Sequence, residues 1–147
     1  MDTARILTAQ DAQAMADIHA ASFPRPWSAL DMAVHIKTDM CLGIGSALAA
    51  FIIIRSSGDE AEILTIATQS FARRRGYARI LLGAATTKLS QAKARNLFLE
   101  VAEDNLAAQG LYKACGFVPM GRRPAYYRRK NGRVAAITYS KALDAAP

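Results

Sequence analysis

Long apolar runs are absent from this sequence of 147 residues. A helix that crosses a membrane needs about 20 consecutive apolar residues, and no run approaches that length. Residues 1–5 also lack the basic and then apolar order with which a secretory signal peptide begins. We therefore expect a cytoplasmic protein with no membrane partner.

Cysteine is also scarce, with Cys41 and Cys115 as the only two. Two cysteines are too few for a disulfide scaffold, and neither has Cys or His partners at the spacing of a zinc site. His19 and His35 likewise stand without a partner at metal-ligand or catalytic-triad spacing. We expect reduced thiols in or near the core, histidines in packing or surface roles, and no metal.

The composition that remains is that of an ordinary globular domain, with 52% hydrophobic and 21% charged residues. No internal repeat or low-complexity linker divides the chain, so we expect a single domain over residues 1–147. The net charge of +7 favours a polyanionic partner, such as nucleic acid, an acidic peptide or a highly phosphorylated cofactor. Charge alone does not choose among these partners.

Hydrophobic periodicity and turn residues predict secondary structure in the order β-α-α-β-β-β-α-β-α-β-β. The predicted strands cover residues 6–7, 40–44, 47–55, 61–68, 97–101, 117–120 and 134–141. The predicted helices lie between Thr8 and Pro24, from Ser28 to about Lys37, from Tyr77 to near Asn96, and from Asn105 to Gly116. The strands on either side of the third helix are expected to be parallel, because the helix connects them by a right-handed crossover. The predicted fold class is therefore α/β with a mixed sheet.

The second predicted helix begins with a capping box formed by Ser28 and Asp31. Its packed face is predicted from the residues at helical spacing, namely Leu30, Ala33, Val34 and Lys37. The first and second helices bracket a connection, residues 23–27, that contains two prolines and Trp27.

The most informative local pattern is the segment 73–78, Arg-Arg-Arg-Gly-Tyr-Ala, between a predicted strand and a predicted helix. The first turn of a helix has amide protons without intrahelical partners and a partial positive charge, and it therefore binds phosphate. Gly76 and Ala78 keep bulky side chains away from such a ligand. The glycine patterns of Walker A and Rossmann loops are absent, which argues against nucleoside triphosphates and dinucleotides.

Together with distant motifs, this segment resembles the acetyl-CoA motif of the GNAT superfamily of N-acetyltransferases. Arg73, Gly76 and Ala78 match the pattern Arg/Gln-x-x-Gly-x-Gly/Ala after the strand that ends at Thr68. The further motifs are Leu99-Glu100-Val101, Asn105, Ala108, Leu111-Tyr112 and Gly116-Phe117 downstream, Phe23-Pro24 with Pro26-Trp27-Ser28 upstream, and Tyr126-Tyr127 near the end. In combination they resemble the branch that acetylates the N-terminal alanine of ribosomal proteins, across nearly the whole chain.

The resemblance implies a GNAT fold and acetyl-CoA as the co-substrate. The implied sheet has six to seven strands, mostly antiparallel, with a bulge and a splayed parallel pair at its centre, flanked by about four helices. The implied cofactor-binding residues are Ile66, Ala67, Thr68, Arg73, Arg74, Arg75, Gly76, Tyr77, Ala78, Arg79 and Asn105. The backbone of residues 66–68 would bind the pantetheine arm, Asn105 would contact it, and the arginine segment would surround the pyrophosphate.

The resemblance also implies the groups that move protons. Only a neutral amine attacks the thioester, and the leaving thiolate must be protonated, so two groups are needed. Glu100 is the implied base, acting directly or through a water, and Tyr112 is the implied acid. The alternatives are that Glu100 pairs with one of the many arginines and that Tyr112 is only a core aromatic. Trp27 and Tyr127 are expected to line the acceptor cleft, although hydrophobic packing explains them equally well.

The implied acceptor is a protein N-terminus, such as that of a ribosomal protein, and no nucleic acid is required. Residues 132–138 depart from the family pattern, since the acidic pair common before the alanine is replaced by Arg133-Val134. A small-molecule amine or amino-acid acetyltransferase of the same fold therefore stays open. So do a basic nucleic-acid-binding module and a non-catalytic acetyl-CoA sensor, although the first leaves the spacing of Glu100, Asn105 and Tyr112 unexplained.

Overall fold

A computed structural model describes residues 3–143, and the described part contains seven strands, four α-helices and two 3-10 turns. The strands are β1 (Ala4–Ile6), β2 (Met40–Ile44), β3 (Ala50–Ser57), β4 (Glu60–Thr68), β5 (Asn96–Ala102), β6 (Val118–Arg129) and β7 (Gly132–Ala142). The helices are α1 (Ala12–Ser22), α2 (Ala29–Thr38), α3 (Tyr77–Gln91) and α4 (Leu106–Ala114). The predicted order of elements is confirmed. The predicted domain limits, residues 1 and 147, lie outside the described residues.

The seven strands form one sheet in the order β1-β2-β3-β4-β5-β7-β6. Neighbours are antiparallel except β4 and β5, which are parallel and are joined through α3. These two strands pair only between residues 60–62 and 96–98. Beyond this short ladder they separate, so the centre of the sheet opens toward the C-terminal ends of both strands. The predicted splayed parallel pair is confirmed.

A bulge in β4 lies close to the point where the strands separate. Thr65 pairs with Ile53 and Ile63 pairs with Ile54, so Leu64 has no partner in β3. An extra residue reverses the alternation of side chains between the two faces of a strand. Ile63 and Ile66 accordingly pack on one face, whereas Leu64 packs on the other.

Two hydrophobic layers cover the sheet. On one face α3 and α4 pack on the sheet, and Leu81 and Leu82 of α3 are almost fully buried. On the opposite face α1 and α2 pack on the sheet, with Met15 and Met32 buried. Full burial of a side chain of this size stabilises the fold by about 1.5–3 kcal/mol. Within residues 3–143, every helix is too short or too polar to span a membrane.

The predicted packed face of α2 is wrong. Leu30 is 81% exposed and Val34 is 58% exposed, whereas Met32 is fully buried. Ala29, Ala33 and Ile36 complete the side of α2 that packs on the sheet layer. In this ten-residue helix apolar residues occur around most of the circumference, so periodicity did not define a single stripe.

Several predicted boundaries also differ from the structure, since β1 begins at Ala4 and not at residue 6, and β3 begins at Ala50 and not at residue 47. Helix α3 ends at Gln91 and not near Asn96, because Lys93 adopts a left-handed conformation with φ 67°. The last hairpin is much longer than predicted, since β6 and β7 are paired as far as the turn between Arg129 and Gly132.

Candidate active site

The start of α3 has the geometry of an anion-binding site. Gly76 precedes the helix with φ 79°, and a Cβ atom added there would meet nothing within 4 Å. Glycine is therefore favoured by the backbone conformation, and the space beside it is open. Among residues 3–143 no side chain caps α3, whereas Ser28 accepts the Asp31 amide at the start of α2 at 3.1 Å. The first amides of α3 are left for a ligand.

Positive charge surrounds these amides. The arginines 73, 74, 75 and 79 have exposed side chains, and none forms an ion pair within residues 3–143. Arg74 has φ 65°, which helps the segment turn sharply before the helix. The predicted residues 73–79 thus lie together at one helix end, where fixed backbone dipoles and mobile cations both favour phosphate.

The gap between β4 and β5 adjoins this helix end. Residues 66–68 are the last residues of β4 and border the gap. Residues 69–76 connect them to α3. Asn105 follows β5 at the same edge of the sheet, because parallel strands end on the same side. Its side-chain oxygen caps α4 by accepting the Ala108 amide at 3.1 Å. An extended ligand with a phosphate end fits the unpaired strand edges and the open amides.

Glu100 lies on β5 beside the gap. Its neighbours Leu99 and Val101 point into the layer under α3 and α4, so Glu100 projects from the face that carries α1 and α2. One carboxylate oxygen, Oε1, lies 3.2 Å from Nη2 of Arg123. The other, Oε2, is buried and has no hydrogen-bond partner in residues 3–143. The expected alternative, a pair with an arginine, is thus present, but it occupies only one oxygen.

Tyr127 interacts electrostatically with both predicted proton-transfer groups, Glu100 and Tyr112. Burial raises the pKa of Tyr127, and the nearby carboxylate of Glu100 raises it further. Burial raises the pKa of Tyr112 to about 12, with a smaller contribution from Tyr127. Tyr112 is 6% exposed and its ring packs 5.8 Å from that of Phe117. It therefore keeps its proton at neutral pH.

Three arginines of β6 form ion pairs with acidic residues in β5 and just after it. We call three ion pairs the arginine clasp, namely Arg122 with Glu103 at 2.7 Å, Arg123 with Glu100 at 3.2 Å, and Arg129 with Asp104 at 2.9 Å. Between Arg123 and Tyr127 the pairing of β6 with β7 shifts, and Ala125 has φ 54°. Across this irregularity the segment from Arg123 to Tyr127 spans only the segment from Ala136 to Val134 on β7, which brings Arg123 and Tyr127 closer together. Arg123 was not among the predicted site residues, and the nearby Tyr126-Tyr127 pair was the signal available for it.

Trp27 packs inside the layer formed by α1 and α2. Its ring stacks on His19 and on His35, with centroids 4.8 Å apart in both cases. Both histidines were expected to have ordinary roles, and their involvement with the connection before α2 was missed. The available signal was their spacing, since each stands eight residues from Trp27. Trp27 shares the sheet face of Glu100, on which α1 and α2 pack.

Comparisons with known proteins agree with this geometry. The model of the acetyltransferase (GNAT) family matches residues 12–117. The [ribosomal protein bS18]-alanine N-acetyltransferase of Escherichia coli K12 is 31% identical over 140 residues, which cover 93% of this chain and 95% of the relative. A putative enzyme of the same description from Bacillus subtilis is 30% identical over 147 residues, covering 92% of each chain.

Solved structures show the same fold. The crystal structure of the ribosomal-protein-S18-alanine N-acetyltransferase from E. coli has a TM-score of 0.92 and 29% identity, and the match covers 100% of this chain and 97% of that one. A phosphinothricin acetyltransferase from Sinorhizobium meliloti in complex with AcCoA has a TM-score of 0.87 at 16% identity, covering 97% and 89%. The chain therefore belongs to the GNAT family and is an N-acetyltransferase.

Proposed function

We propose that this enzyme transfers the acetyl group of acetyl-CoA to the α-amino group of a protein N-terminus, of the ribosomal-protein alanine type. The observation that carries the proposal is the open gap between β4 and β5, which runs from the uncapped start of α3 to the free oxygen of Glu100. Direct transfer in a ternary complex fits this arrangement. The buried Cys41 is a poor nucleophile, since burial raises the pKa of its thiol to about 12.

Acetyl-CoA supplies an activated thioester, and the chain supplies its binding site. The amides of residues 77–79 and the arginines 73, 74, 75 and 79 bind the pyrophosphate. Residues 66–68 pair with β3 along one edge, and the splay of β5 leaves their other edge unpaired. This unpaired edge binds the pantetheine arm in the gap, where Asn105 contacts the arm from the segment that follows β5.

Glu100 accepts the proton of the acceptor amine. An α-amino group with a pKa of about 7.7–8.0 is roughly a tenth neutral at pH 7, whereas a lysine side chain near 10.4 is neutral in well under a thousandth of molecules. An N-terminal amine therefore depends less on a catalytic base for its deprotonation than a lysine side chain does. Oε2 of Glu100 attracts the ammonium form of the acceptor. A buried carboxylate oxygen without a hydrogen-bond partner is unfavourable, and the ammonium supplies that partner. A bond forms between nitrogen and the acetyl carbon, and the bond from that carbon to sulfur breaks.

Tyr112 donates a proton to the departing sulfur. Burial raises the pKa of Tyr112 to about 12, and a phenol with that pKa is a poor proton donor to a thiolate whose conjugate acid has a pKa near 8.5 in water. In the same apolar surroundings, however, burial disfavours the thiolate as it disfavours the phenolate. The difference between the pKa of the thiol and the pKa of the phenol is therefore smaller there. A hydrogen bond from Tyr112 stabilises the sulfur while its charge develops.

The acceptor class rests on the relatives, whose printed names give the alanine of ribosomal protein bS18 as the acetylated residue. A ribosomal acceptor places the proposed reaction in the cytoplasm. The net charge of +7 is compatible with work near ribosomal RNA without requiring direct contact.

Release of free thiol from acetyl-CoA tests the proposal. Peptides that begin with Ala, Ser or Met are compared with small amines and with the same Ala peptide blocked at its N-terminus. We expect turnover of the free Ala peptide and none of the blocked one. Turnover of small amines alone would contradict the acceptor class. Binding of acetyl-CoA without consumption of any acceptor would contradict the enzymatic role and favour a sensor.

Replacement of Glu100 tests its role in this reaction. We expect Glu100→Gln to lower kcat by about 10²–10⁴-fold, mainly at low pH, because an amide accepts no proton from the amine. Acetyl-CoA affinity should stay close to that of the wild type. Glu103→Gln is the matched control, since Glu103 is a neighbouring carboxylate that also pairs with an arginine of β6. Equal loss in both variants, or a loss of cofactor affinity at unchanged kcat, would reject the role.

A further inference from the structure

His19 holds both ends of the connection between α1 and α2. Its backbone carbonyl accepts the Phe23 amide at 2.9 Å, and its ring atom Nδ1 accepts the Trp27 amide at 3.0 Å. His19 is only 3% exposed. A buried imidazole that accepts a backbone amide from eight residues away fixes the path of the chain between the two contacts.

Aromatic stacking reinforces these hydrogen bonds. The Phe23 ring lies 4.4 Å from the His19 ring, and the indole of Trp27 lies 4.8 Å from it on a nearly parallel plane. The other face of the indole stacks on His35. Ordinary packing would place any aromatic ring at position 19. Only a group with an acceptor atom at Nδ1 also satisfies the Trp27 amide.

This arrangement requires a neutral imidazole. Because Nδ1 accepts a hydrogen bond, the ring proton must be on Nε2, and an imidazolium would direct an N–H at the Trp27 N–H. Burial lowers the pKa of His19 from its ordinary value of 6.5, and His35 lowers it further. The neutral form therefore prevails at neutral pH, and acidification below the ordinary value of the imidazole breaks the bond.

We propose that His19 is a positioning residue that fixes residues 23–28 as a preformed wall on the acceptor side, and that protonation of its ring releases this wall. The acceptor part rests on the function proposed above. Trp27 packs against the layer that contains Leu64 and Ala67 of the splayed half of β4, on the sheet face from which Glu100 projects. An acceptor that approaches Glu100 from this face meets the wall that His19 holds.

Few ionisable groups surround this imidazole. His35 of α2 faces it across the indole and contacts Asp39 at 2.7 Å, and Asp39 also accepts two hydrogen bonds from Arg55 of β3. Arg25 in the connection is exposed, and β3 and β4 contribute apolar residues to this layer. We therefore expect protonation of the His19 ring to change the surroundings of Trp27 as the pH falls from neutrality to about 5.

Fluorescence of Trp27 tests the hydrogen bond without any assay of activity. Trp27 is the only tryptophan of the chain, so the emission reports on this stack alone. We expect wild-type emission to change in a step below about pH 6.5, when the ring of His19 becomes charged. His19→Phe keeps the stack and should abolish that step, whereas the matched variant His35→Phe should retain it. Persistence of the step in His19→Phe would overturn the proposal.

Kinetics test the acceptor wall. We expect His19→Phe to raise the KM for the Ala peptide about fivefold, the value of one lost hydrogen bond, with the KM for acetyl-CoA unchanged. His19→Gln, which keeps an acceptor atom but no ring, should restore the peptide KM and show no fluorescence step. An equal change in both KM values, or an unchanged peptide KM in a folded His19→Phe, would overturn the positioning role. If wild type used no peptide, the proposed function would fail, and the fluorescence result would still decide the hydrogen bond.

Discussion

At the start of α3 the proposed binding groups are backbone amides supplied by one short segment, residues 73–79, whereas the groups around Glu100 come from separate parts of the chain. Tyr127 and Arg123 belong to β6, Tyr112 belongs to α4, and the wall that contains Trp27 precedes α2. The first site needs only a glycine in a left-handed conformation and nearby cations. The second needs several long-range contacts at once. A backbone site is therefore encoded locally, and a side-chain site is encoded by the whole fold.

The largest expected effect tests whether the side-chain site performs chemistry. We expect Tyr112→Phe to lower kcat by about 10²–10⁴-fold, because it removes the proton donor and leaves the packed ring in place. Tyr139→Phe is the control, a second buried tyrosine whose hydroxyl donates to Gln109 at 3.0 Å. That control should lose about 1 kcal/mol of stability and retain kcat. Steady-state kinetics and thermal unfolding separate the two outcomes. Full activity of Tyr112→Phe would mean that Tyr112 has only a structural role.

An intermediate effect tests whether the α3 site depends on its backbone. In Gly76→Ala the free chain relaxes from the left-handed conformation, and restoring it on binding costs about 1–2 kcal/mol. We therefore expect acetyl-CoA affinity to fall by about 5–30-fold in a calorimetric titration. Gly83→Ala is the control in the same helix, since it also has open space and a normal φ. It should stabilise the fold by about 0.5–1 kcal/mol at unchanged affinity. Equal affinities in the two variants would argue against the backbone site.

The smallest effect concerns the arginine clasp. The side chains of Arg122 and Glu103 are 56% and 46% exposed. We expect Arg122→Gln to change the free energy of unfolding by less than about 1 kcal/mol, since exposed ion pairs contribute little. Denaturant unfolding at low and high salt measures this, and the difference should disappear at high salt. A larger, salt-independent loss would mean that the hairpin is held by the clasp and not by its pairing with β7.

The sequence was sufficient for the order of elements and for the segment at the start of α3, because both depend on local patterns. It was insufficient where a distant contact decides the outcome. The end of α3 lacked a glycine signal, since Lys93 takes the left-handed conformation that glycine usually provides. The long hairpin lacked alternating apolar residues, since β6 is almost entirely exposed and depends on β7 for its pairing.

Among the candidate site residues, those with a local role were easiest to anticipate. Asn105 caps α4 as predicted, and Glu100 and Tyr127 lie near each other. Arg123 and His19 were not anticipated, because nothing in the sequence shows which of many arginines meets Glu100 or which amide a buried histidine accepts. Both answers depend on tertiary structure that brings residues together from different elements.

The exposed arginines of β6 also bear on the edges of the sheet. The sheet ends at β1 on one side and at β6 on the other. An edge strand with free backbone groups can add a strand from another molecule, and short length, charge and proline all oppose this. β1 has three residues, while β6 carries four arginines and two prolines. The arginines of the clasp, which pair with acidic residues in β5 and just after it, thus also oppose aggregation through strand addition.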